Sequence, residues 1–373
     1  MMKAWVLHGI DDFRLETVKE PVLAEDEVLV EVKAAGICGS DIPRVYRTGT
    51  YSYPTIPGHE FSGIVAGVGA KAASGLAGKR VGVFPLIPCQ SCGSCHAGLY
   101  EMCRHYSYLG SRRDGAFAEY VAVPRWNLLE LPDRVSFEQA AMLEPMAVAV
   151  HAMRSALGDE AFARNASIDG FDAGCSLRGK MNKSATVVVC GLGTIGLLLA
   201  MFLQEAGVSN PLVIGNKEFQ KEMVLKLGIV EEHFCDSKTE DVQKWIKDRT
   251  DGHGADVFFE CVGKNETVAT AVCVMAPGGI VQLVGNPASD MTLEKDIYWK
   301  ILRNQLTMKG CWNSSFTHSE KDDWHYVLQK LQDGVIEPER FITHELALED
   351  LEQGFRIMRD KTEPYVKVMM LPG

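Results

Sequence analysis

Apolar and polar positions follow two different patterns along the chain. The first part contains short Val-rich runs bounded by Gly, Pro and Asp, which predict β-strands joined by frequent turns. Short strands separated in this way favour a compact, barrel-like β domain. Apolar residues at helical spacing near Ser136–Leu157 predict a helix at the end of this part.

The middle of the chain alternates apolar strands with helices. The pattern begins with ATVVVCGLGTIGLLLAMFLQEAG and continues through PLVIGN, ADVFFECVG and GGIVQLVGN. Such alternation predicts a parallel, doubly wound α/β sheet. Before it, the stretch from Gly158 to Ser184 has no periodicity and predicts a surface loop or linker. After it, LTMKGCW predicts a further strand, and a helix is expected near Trp324–Gln332.

Composition and charge narrow the classes of protein. The 373 residues are 46% hydrophobic and 23% charged, which is usual for a globular protein. The net charge of −11 argues against a nucleic-acid partner held by a basic surface. No apolar run reaches the roughly 18–20 residues of a membrane span. An odd number of scattered cysteines, without a signal-peptide core, predicts a reducing compartment, the cytoplasm.

A glycine-rich turn between a predicted strand and helix indicates a dinucleotide site. It reads Gly191-Leu-Gly193-Thr194-Ile195-Gly196. Gly191 permits the tight turn, Gly193 lets the backbone approach a pyrophosphate, and Gly196 allows close packing of helix on strand. The helix N-terminus attracts the anion. The motif in this context predicts a bound dinucleotide.

The next strand predicts which dinucleotide is bound. An NAD site places Asp or Glu here to accept from the ribose 2′-hydroxyl. This chain instead has Gly215, Asn216 and Lys217. Gly215 leaves space for a 2′-phosphate, Asn216 is able to donate a hydrogen bond to it, and Lys217 is able to neutralise its charge. We therefore predict NADP. The alternative is a relaxed NAD site in which Lys217 is only a surface lysine.

Four cysteines lie close together in the run PCQSCGSCHAGLYEMC, as Cys89, Cys92, Cys95 and Cys103. Thiolates at this spacing suit one tetrahedral metal site, most often zinc. Four protein ligands leave no open position, so this metal is structural. The last spacing, without Cys-Pro, does not match an iron–sulfur ferredoxin. Metal chemistry would need a second site.

Several motifs together resemble those of one enzyme family. GICGSD, PGHEFSG, the cysteine lobe, DGAFAEY, LEP and GLGTIG occur in the order found in the zinc-dependent medium-chain alcohol and polyol dehydrogenases. The resemblance covers nearly the whole chain. It implies a discontinuous GroES-like β-barrel catalytic domain, residues 1–153 and 308–373, with the structural-zinc lobe at 88–104. It also implies a Rossmann domain at residues 154–307.

The same resemblance implies a second, catalytic zinc. Cys38 and His59 are its expected ligands, with Glu144 or Glu60 as the third. Three ligands leave an open position, where an alcohol loses its proton more readily before hydride passes to the nicotinamide. Ser40 resembles the family's relay hydroxyl for that proton, and a turn-capping serine is the alternative.

The substrate is predicted from the run SRRDGAFAEY. Together with the lobe sequence, it resembles dehydrogenases that act on galactitol 1-phosphate. Arg112 and Arg113 suit bidentate binding of a phosphate, with surface ion pairs as the alternative. Tyr46 and Tyr51 are expected to add polar groups to the same cleft.

These inferences converge on a zinc-dependent oxidoreductase. We expect hydride transfer between a secondary alcohol of a polyol or polyol phosphate and NAD(P), with NADP favoured. The alternatives are a simple secondary-alcohol or threonine dehydrogenase and a zinc-stabilised binding protein without catalysis. The resemblance implies a homodimer or homotetramer, and no nucleic-acid or membrane partner is expected.

Overall fold

The computed structural model describes residues 1–72, 74–158, 185–208 and 210–373, so the predicted loop between Gly158 and Ser184 lies almost wholly outside the described residues. The strands are β1 Met2–Gly9, β2 Asp12–Val18, β3 Glu27–Ile37, β4 Glu60–Val68, β5 Arg80–Val83, β6 Leu86–Ile87, β7 Ser107–Tyr108, β8 Tyr120–Pro124, β9 Leu128–Glu130, β10 Val187–Cys190, β11 Leu212–Gly215, β12 Phe234–Asp236, β13 Ala255–Glu260, β14 Met275–Leu283, β15 Thr307–Gly310, β16 Ile342–Ala347 and β17 Lys367–Leu371. The α-helices are α1 Asp41–Pro43, α2 Gly93–His96, α3 Phe137–Ala141, α4 Leu143–Leu157, α5 Thr194–Glu205, α6 Glu218–Lys226, α7 Val242–Arg249, α8 Asn265–Val274, α9 Lys295–Arg303, α10 Asp323–Asp333 and α11 Leu351–Asp360.

The chain forms two compact units. One consists of Met1–Ala147 with Ser314–Gly373, and the other of Val148–Asn313. The first is rich in β-structure and the second is a parallel α/β unit, which confirms the predicted fold class. The domain boundaries predicted at residues 153/154 and 307/308 stay a prediction.

The first unit is built on a seven-stranded sheet. Its order is β16-β17-β3-β4-β5-β9, and β8 pairs with β3 outside this path. The pairs are antiparallel except β16 with β17. Strand β3 pairs with β17, β4 and β8, and its apolar residues, including Val28, Val30 and Val32, are buried in the core.

The pairing of three strands brings distant parts of the sequence to one edge of this sheet. Gly36 near the end of β3 is opposite Glu60 at the start of β4. Ile37, the last residue of β3, is opposite Val368 in β17. The residues just after β3, just before β4 and at the start of β17 therefore lie together, although they are far apart in sequence.

The helix predicted near Ser136–Leu157 is two helices. Ser136 and Gln139 form a capping box that starts α3, because each side chain satisfies a backbone amide at the helix end. This helix ends at Ala141 with Met142 as its C-cap, and α4 begins at Leu143. Apolar spacing continues through the break, which is why the pattern alone predicts one helix.

The second unit contains a six-stranded parallel sheet in the order β12-β11-β10-β13-β14-β15. The residues of β10 and β11 are all buried, as expected for strands covered on both faces. The strand order reverses between β10 and β13, and ligands of such sheets bind at the carboxyl ends of the strands near this point. Within the described ranges, no helix is long and apolar enough to cross a membrane.

Candidate active site

The four lobe cysteines surround one centre. Their sulfur atoms are 3.6 Å apart for Cys92 and Cys95, 3.9 Å for Cys92 and Cys103, and 4.0 Å for Cys89 and Cys95. A tetrahedral site with Zn–S bonds of about 2.3 Å needs sulfur separations of about 3.8 Å, so these residues fit zinc. Hydrogen bonds from Ser91 lower the pKa of Cys89 to about 5, which favours the thiolate that a metal binds.

Cys38, His59 and Glu60 form a second group. Cys38 follows the last residue of β3, His59 precedes β4, and Glu60 is its first residue. One potential ligand atom from each lies within 4.8 Å of the others. Sulfur, imidazole nitrogen and carboxylate oxygen are suitable donors for a three-ligand zinc site. Ser40 Oγ donates to Cys38 Sγ over 3.3 Å and makes no helix-capping bond.

Asp41 supports this group from the first turn of α1. Its buried carboxylate accepts hydrogen bonds from the Cys38 amide at 3.0 Å and from Arg44 Nη1 at 2.6 Å. It lies 3.3 Å from His59 Nδ1, an electrostatic contact, since Nδ1 has no well-aligned hydrogen bond within the described residues. Burial disfavours the charged ring, but the interactions with Asp41 and with Cys38 together outweigh burial and raise the pKa of His59 well above its usual value. A carboxylate in this position orients a metal-binding imidazole.

Glu144 lies beside the group, at the start of α4. The Tyr108 hydroxyl donates to Glu144 Oε1 over 3.3 Å, and the Tyr108 ring lies edge-on to His59 with centroids 5.7 Å apart. Burial, together with the nearby charge of Glu60, raises the pKa of Glu144 to about 7. The group of atoms within 4.8 Å contains Glu60 rather than Glu144. This geometry favours Glu60 as third ligand, and the choice between the two stays a prediction.

Lys367 is a residue of this site that sequence reasoning missed. Its Nζ forms an ion pair with Glu60 and donates to the Ile37 carbonyl at 3.2 Å, and both charged side chains are only 2% exposed. Gly36 leaves room for the pair, because a Cβ there would lie 2.5 Å from Glu60 Oε2 and 2.6 Å from Lys367 Cε. The available signal was a single lysine inside the apolar run YVKVMML.

The glycine turn after β10 has the backbone expected of a dinucleotide site. Gly191 has a φ of +97°, and α5 starts at Thr194, with Ile195 in its first turn. A Cβ at Gly196 would lie 1.9 Å from the Gly191 carbonyl oxygen, whereas one at Gly193 would meet no described atom within 4 Å. The turn is therefore closely packed on one side and open at Gly193, where a pyrophosphate would approach the helix N-terminus.

The end of β11 carries no acidic side chain. Gly215 is its last residue, Asn216 is exposed, and Lys217 is the N-cap of α6. A Cβ at position 215 would lie 2.9 Å from the Phe234 ring and 3.0 Å from Gln220 Oε1. An aspartate at 215 would need these neighbours to move. The surroundings of Gly215 thus disfavour the acid typical of NAD sites.

The predicted substrate residues separate into different surroundings. The Arg112 guanidinium lies between two rings, 3.9 Å from the centroid of Tyr51 and 4.7 Å from that of Tyr106. Arg113 instead forms a 2.6 Å ion pair with Glu27. Tyr46 packs elsewhere, edge-on to Phe355 with the Arg359 guanidinium over its ring. The structure brings Arg112 and Tyr51 together and places Arg113 and Tyr46 in other contacts.

Comparison with known proteins is consistent with both units. Residues 24–133 match the alcohol dehydrogenase GroES-like domain, and residues 194–333 match the zinc-binding dehydrogenase family. Galactitol 1-phosphate 5-dehydrogenase of Escherichia coli K12 is 30% identical over 96% of this chain and 96% of its own length. Sorbitol dehydrogenase of Bacillus subtilis is 28% identical over 100% of this chain and 98% of its own length.

Solved structures of dehydrogenases also superpose on this chain. A zinc-binding dehydrogenase from Sinorhizobium meliloti 1021 bound to NADP superposes with a TM-score of 0.84 at 27% identity, covering 100% of this chain and 99% of that one. Galactitol-1-phosphate dehydrogenase from Escherichia coli gives 0.85 at 29% identity, with both chains fully covered. With two fitting metal clusters in one unit and a dinucleotide turn in the other, this chain belongs to the zinc-dependent medium-chain alcohol dehydrogenase family.

Proposed function

We propose that the protein transfers a hydride between a secondary alcohol of a polyol or polyol phosphate and NADP. The observation that carries the proposal is the grouping of Cys38, His59 and Glu60 within 4.8 Å, separate from the four-cysteine lobe. Zinc bound by the three residues would supply the Lewis acidity that favours loss of the alcohol proton. Asp41 orients His59, Lys367 holds Glu60, and Ser40, whose hydroxyl donates to Cys38 Sγ, relays the proton.

Metal content and turnover test this division into two sites. The protein should contain two zinc ions per chain, and Cys38→Ser should lose one of them together with activity. Cys273 lies in α8, outside both clusters, so Cys273→Ser should keep both zinc ions and full turnover. Full turnover in Cys38→Ser would contradict the proposal.

We infer that NADP is the preferred cofactor. The absence of an acid at Gly215, the positive charge of Lys217, and the NADP bound by the Sinorhizobium relative support this choice. The test is kcat/KM measured with NADP and with NAD under identical conditions. A preference for NAD would refute the proposed preference for NADP. Lys217 would then be a surface lysine without a role in cofactor binding.

We propose a phosphorylated polyol as substrate, with Arg112 as its phosphate ligand. Among the described residues this guanidinium pairs with no carboxylate. The rings of Tyr106 and Tyr108 are 6.4 Å apart, so aromatic contacts connect Arg112 to His59. The galactitol 1-phosphate 5-dehydrogenase relative supports the same class.

A substrate panel distinguishes this proposal from its alternatives. Galactitol 1-phosphate, sorbitol, a simple secondary alcohol and threonine should be compared by kcat/KM. Arg112→Ala should lower the value for phosphorylated substrate about ten- to a hundredfold, since a charge-assisted hydrogen bond is lost, and leave sorbitol nearly unchanged. Arg125→Ala, an exposed arginine of the same unit, is the control. Equal effects on both substrates would exclude a phosphate site at Arg112.

We also infer a homodimer or homotetramer in the cytoplasm. Helix α9 exposes Tyr298, Trp299 and Leu302 to solvent. Edge strand β15 pairs only with β14 within the described part of the chain. An apolar helix face in the same unit as an open sheet edge supports self-association. Cysteines outside any disulfide throughout the described residues support a reducing compartment.

A further inference from the structure

Gln220 occupies an unusual place in the second unit. It lies in the first turn of α6, yet the residue is only 8% exposed. Its Oε1 accepts from the Asn216 amide at 3.0 Å, and its Nε2 donates to the Leu192 carbonyl at 2.9 Å. Leu192 belongs to the glycine turn and Asn216 follows β11. One side chain thus joins the two backbone segments that are expected to contact the cofactor.

Both bonds are to backbone atoms, the Asn216 amide and the Leu192 carbonyl. The carbonyl of Gly215 is fixed separately, by the amide of Ser237 at 2.9 Å and its hydroxyl at 3.0 Å. Gln220 Oε1 also lies 3.0 Å from the position of a Cβ at Gly215, so it fills the space where an acid would otherwise stand. The end of β11 is held in one conformation without an acidic group.

We propose that Gln220 is a positioning residue of the dinucleotide site, which fixes the segment Gly215–Lys217 relative to the glycine turn and thereby sets where the ribose 2′-substituent is recognised. This inference rests on the proposed NADP-dependent function. Gln220 is neutral, so it adds no repulsion to a 2′-phosphate. A carboxylate at the same position would add that repulsion and could no longer donate to Leu192.

Direct binding of NADPH and NADH tests the inference without turnover. Dissociation constants should be measured by calorimetry for the wild type, Gln220→Met and Gln220→Glu. Met keeps the length of the side chain but loses both hydrogen bonds, so both constants should rise at least tenfold. Glu keeps the acceptor for Asn216, so NADH binding should fall less than in the Met variant, while NADPH binding should fall at least tenfold more than NADH binding. Glu222→Gln, an exposed position on the same helix, should bind both as the wild type does.

Failure of the proposed function and failure of the positioning role of Gln220 give different binding results. If the wild type binds neither nucleotide, the proposed function itself fails. If the wild type binds NADPH but both Gln220 variants bind each nucleotide within twofold of it, the positioning role is overturned. Equal weakening of NADPH and NADH in Gln220→Glu would also overturn it, since a general loss of packing predicts that result. Thermal unfolding of each variant confirms that the protein measured is folded.

Discussion

The buried ion pair between Lys367 and Glu60 is expected to affect the stability of the first unit. Both charges are almost fully removed from solvent, and each is neutralised by the other. Removing one partner of a buried ion pair leaves an uncompensated charge, which typically costs about 3–5 kcal/mol. We expect Lys367→Met to lower the free energy of unfolding by about this amount in protein without the catalytic zinc, which would otherwise compensate the Glu60 charge, measured by urea denaturation. Lys3 pairs with Glu349 at the surface, and Lys3→Met should barely move the transition. Similar shifts for both variants would contradict this account.

Gly36 provides a second test at the residue scale. An added methyl group would overlap both Glu60 and Lys367, so Gly36→Ala should displace the pair and weaken the adjacent metal site. We expect one zinc ion per chain instead of two by atomic absorption, with the lobe zinc retained. Gly9→Ala adds the same methyl group where no described atom lies within 4 Å and should keep both ions. Two ions in Gly36→Ala would show that the site tolerates the shift.

Residues with local motifs could be predicted from the sequence, whereas those that depend on strand pairing could not. Cys38, His59 and the cysteine lobe occur in recognisable short runs. Lys367 pairs with Glu60 across 307 residues, and the registers of β17 and of β4 against β3 bring them together. The adjacent Arg112 and Arg113 look equivalent in sequence, but their side chains enter different surroundings.

At the scale of elements, the cysteine lobe is attached to the core of its unit by aromatic packing. Tyr100, between Cys95 and Cys103, packs edge-on against Trp126 with centroids 5.0 Å apart. Trp126 packs on Phe316 at 5.4 Å. The lobe metal and the environment of Trp126 are therefore linked.

Loss of the lobe zinc should consequently be visible in the aromatic signal. We expect Cys95→Ser to lose one zinc ion, lower the melting temperature by several degrees, and reduce the near-ultraviolet circular dichroism. Cys38→Ser should also lose one ion but keep the Trp126 signal, because the ring contacts of Trp126 within the described residues are with Phe84, Tyr100, Phe316 and His318, outside that site. Identical spectra for the two variants would show that the lobe is independent of the core.

Elements with a clear pattern of apolar residues could be predicted from the sequence, whereas elements stabilised by tertiary contacts could not. The buried strands β10, β11, β13 and β14 appear in the sequence as apolar runs bounded by glycine. The break between α3 and α4 is not visible, since apolar spacing continues across it. The short strands β6 and β7, with two residues each, have too few positions for a pattern.

At the scale of the whole molecule, the exposed apolar face of α9 leads to a prediction about the oligomeric state. Trp299 is 43% exposed and Leu302 50%. If this face contacts a second copy, two charges there should break the contact through their desolvation cost. We expect Trp299→Glu/Leu302→Glu to elute with half the wild-type mass in size-exclusion chromatography with light scattering. Val22→Glu, at a position 94% exposed in the first unit, should leave the mass unchanged. An unchanged mass in the double variant would exclude this face.

The wide separation of Glu60 and Lys367 has a consequence for biosynthesis. The lobe closes between Cys89 and Cys103, only 14 residues apart, so a nascent chain is able to capture zinc there soon after the segment leaves the ribosome. Lys367, which holds Glu60, joins the catalytic group only once β17 has been synthesised and has paired with β3. We therefore expect the structural ion to bind first, and a ribosome-stalled fragment lacking β17 to hold the catalytic ion more weakly than the full chain does, because Lys367 is missing.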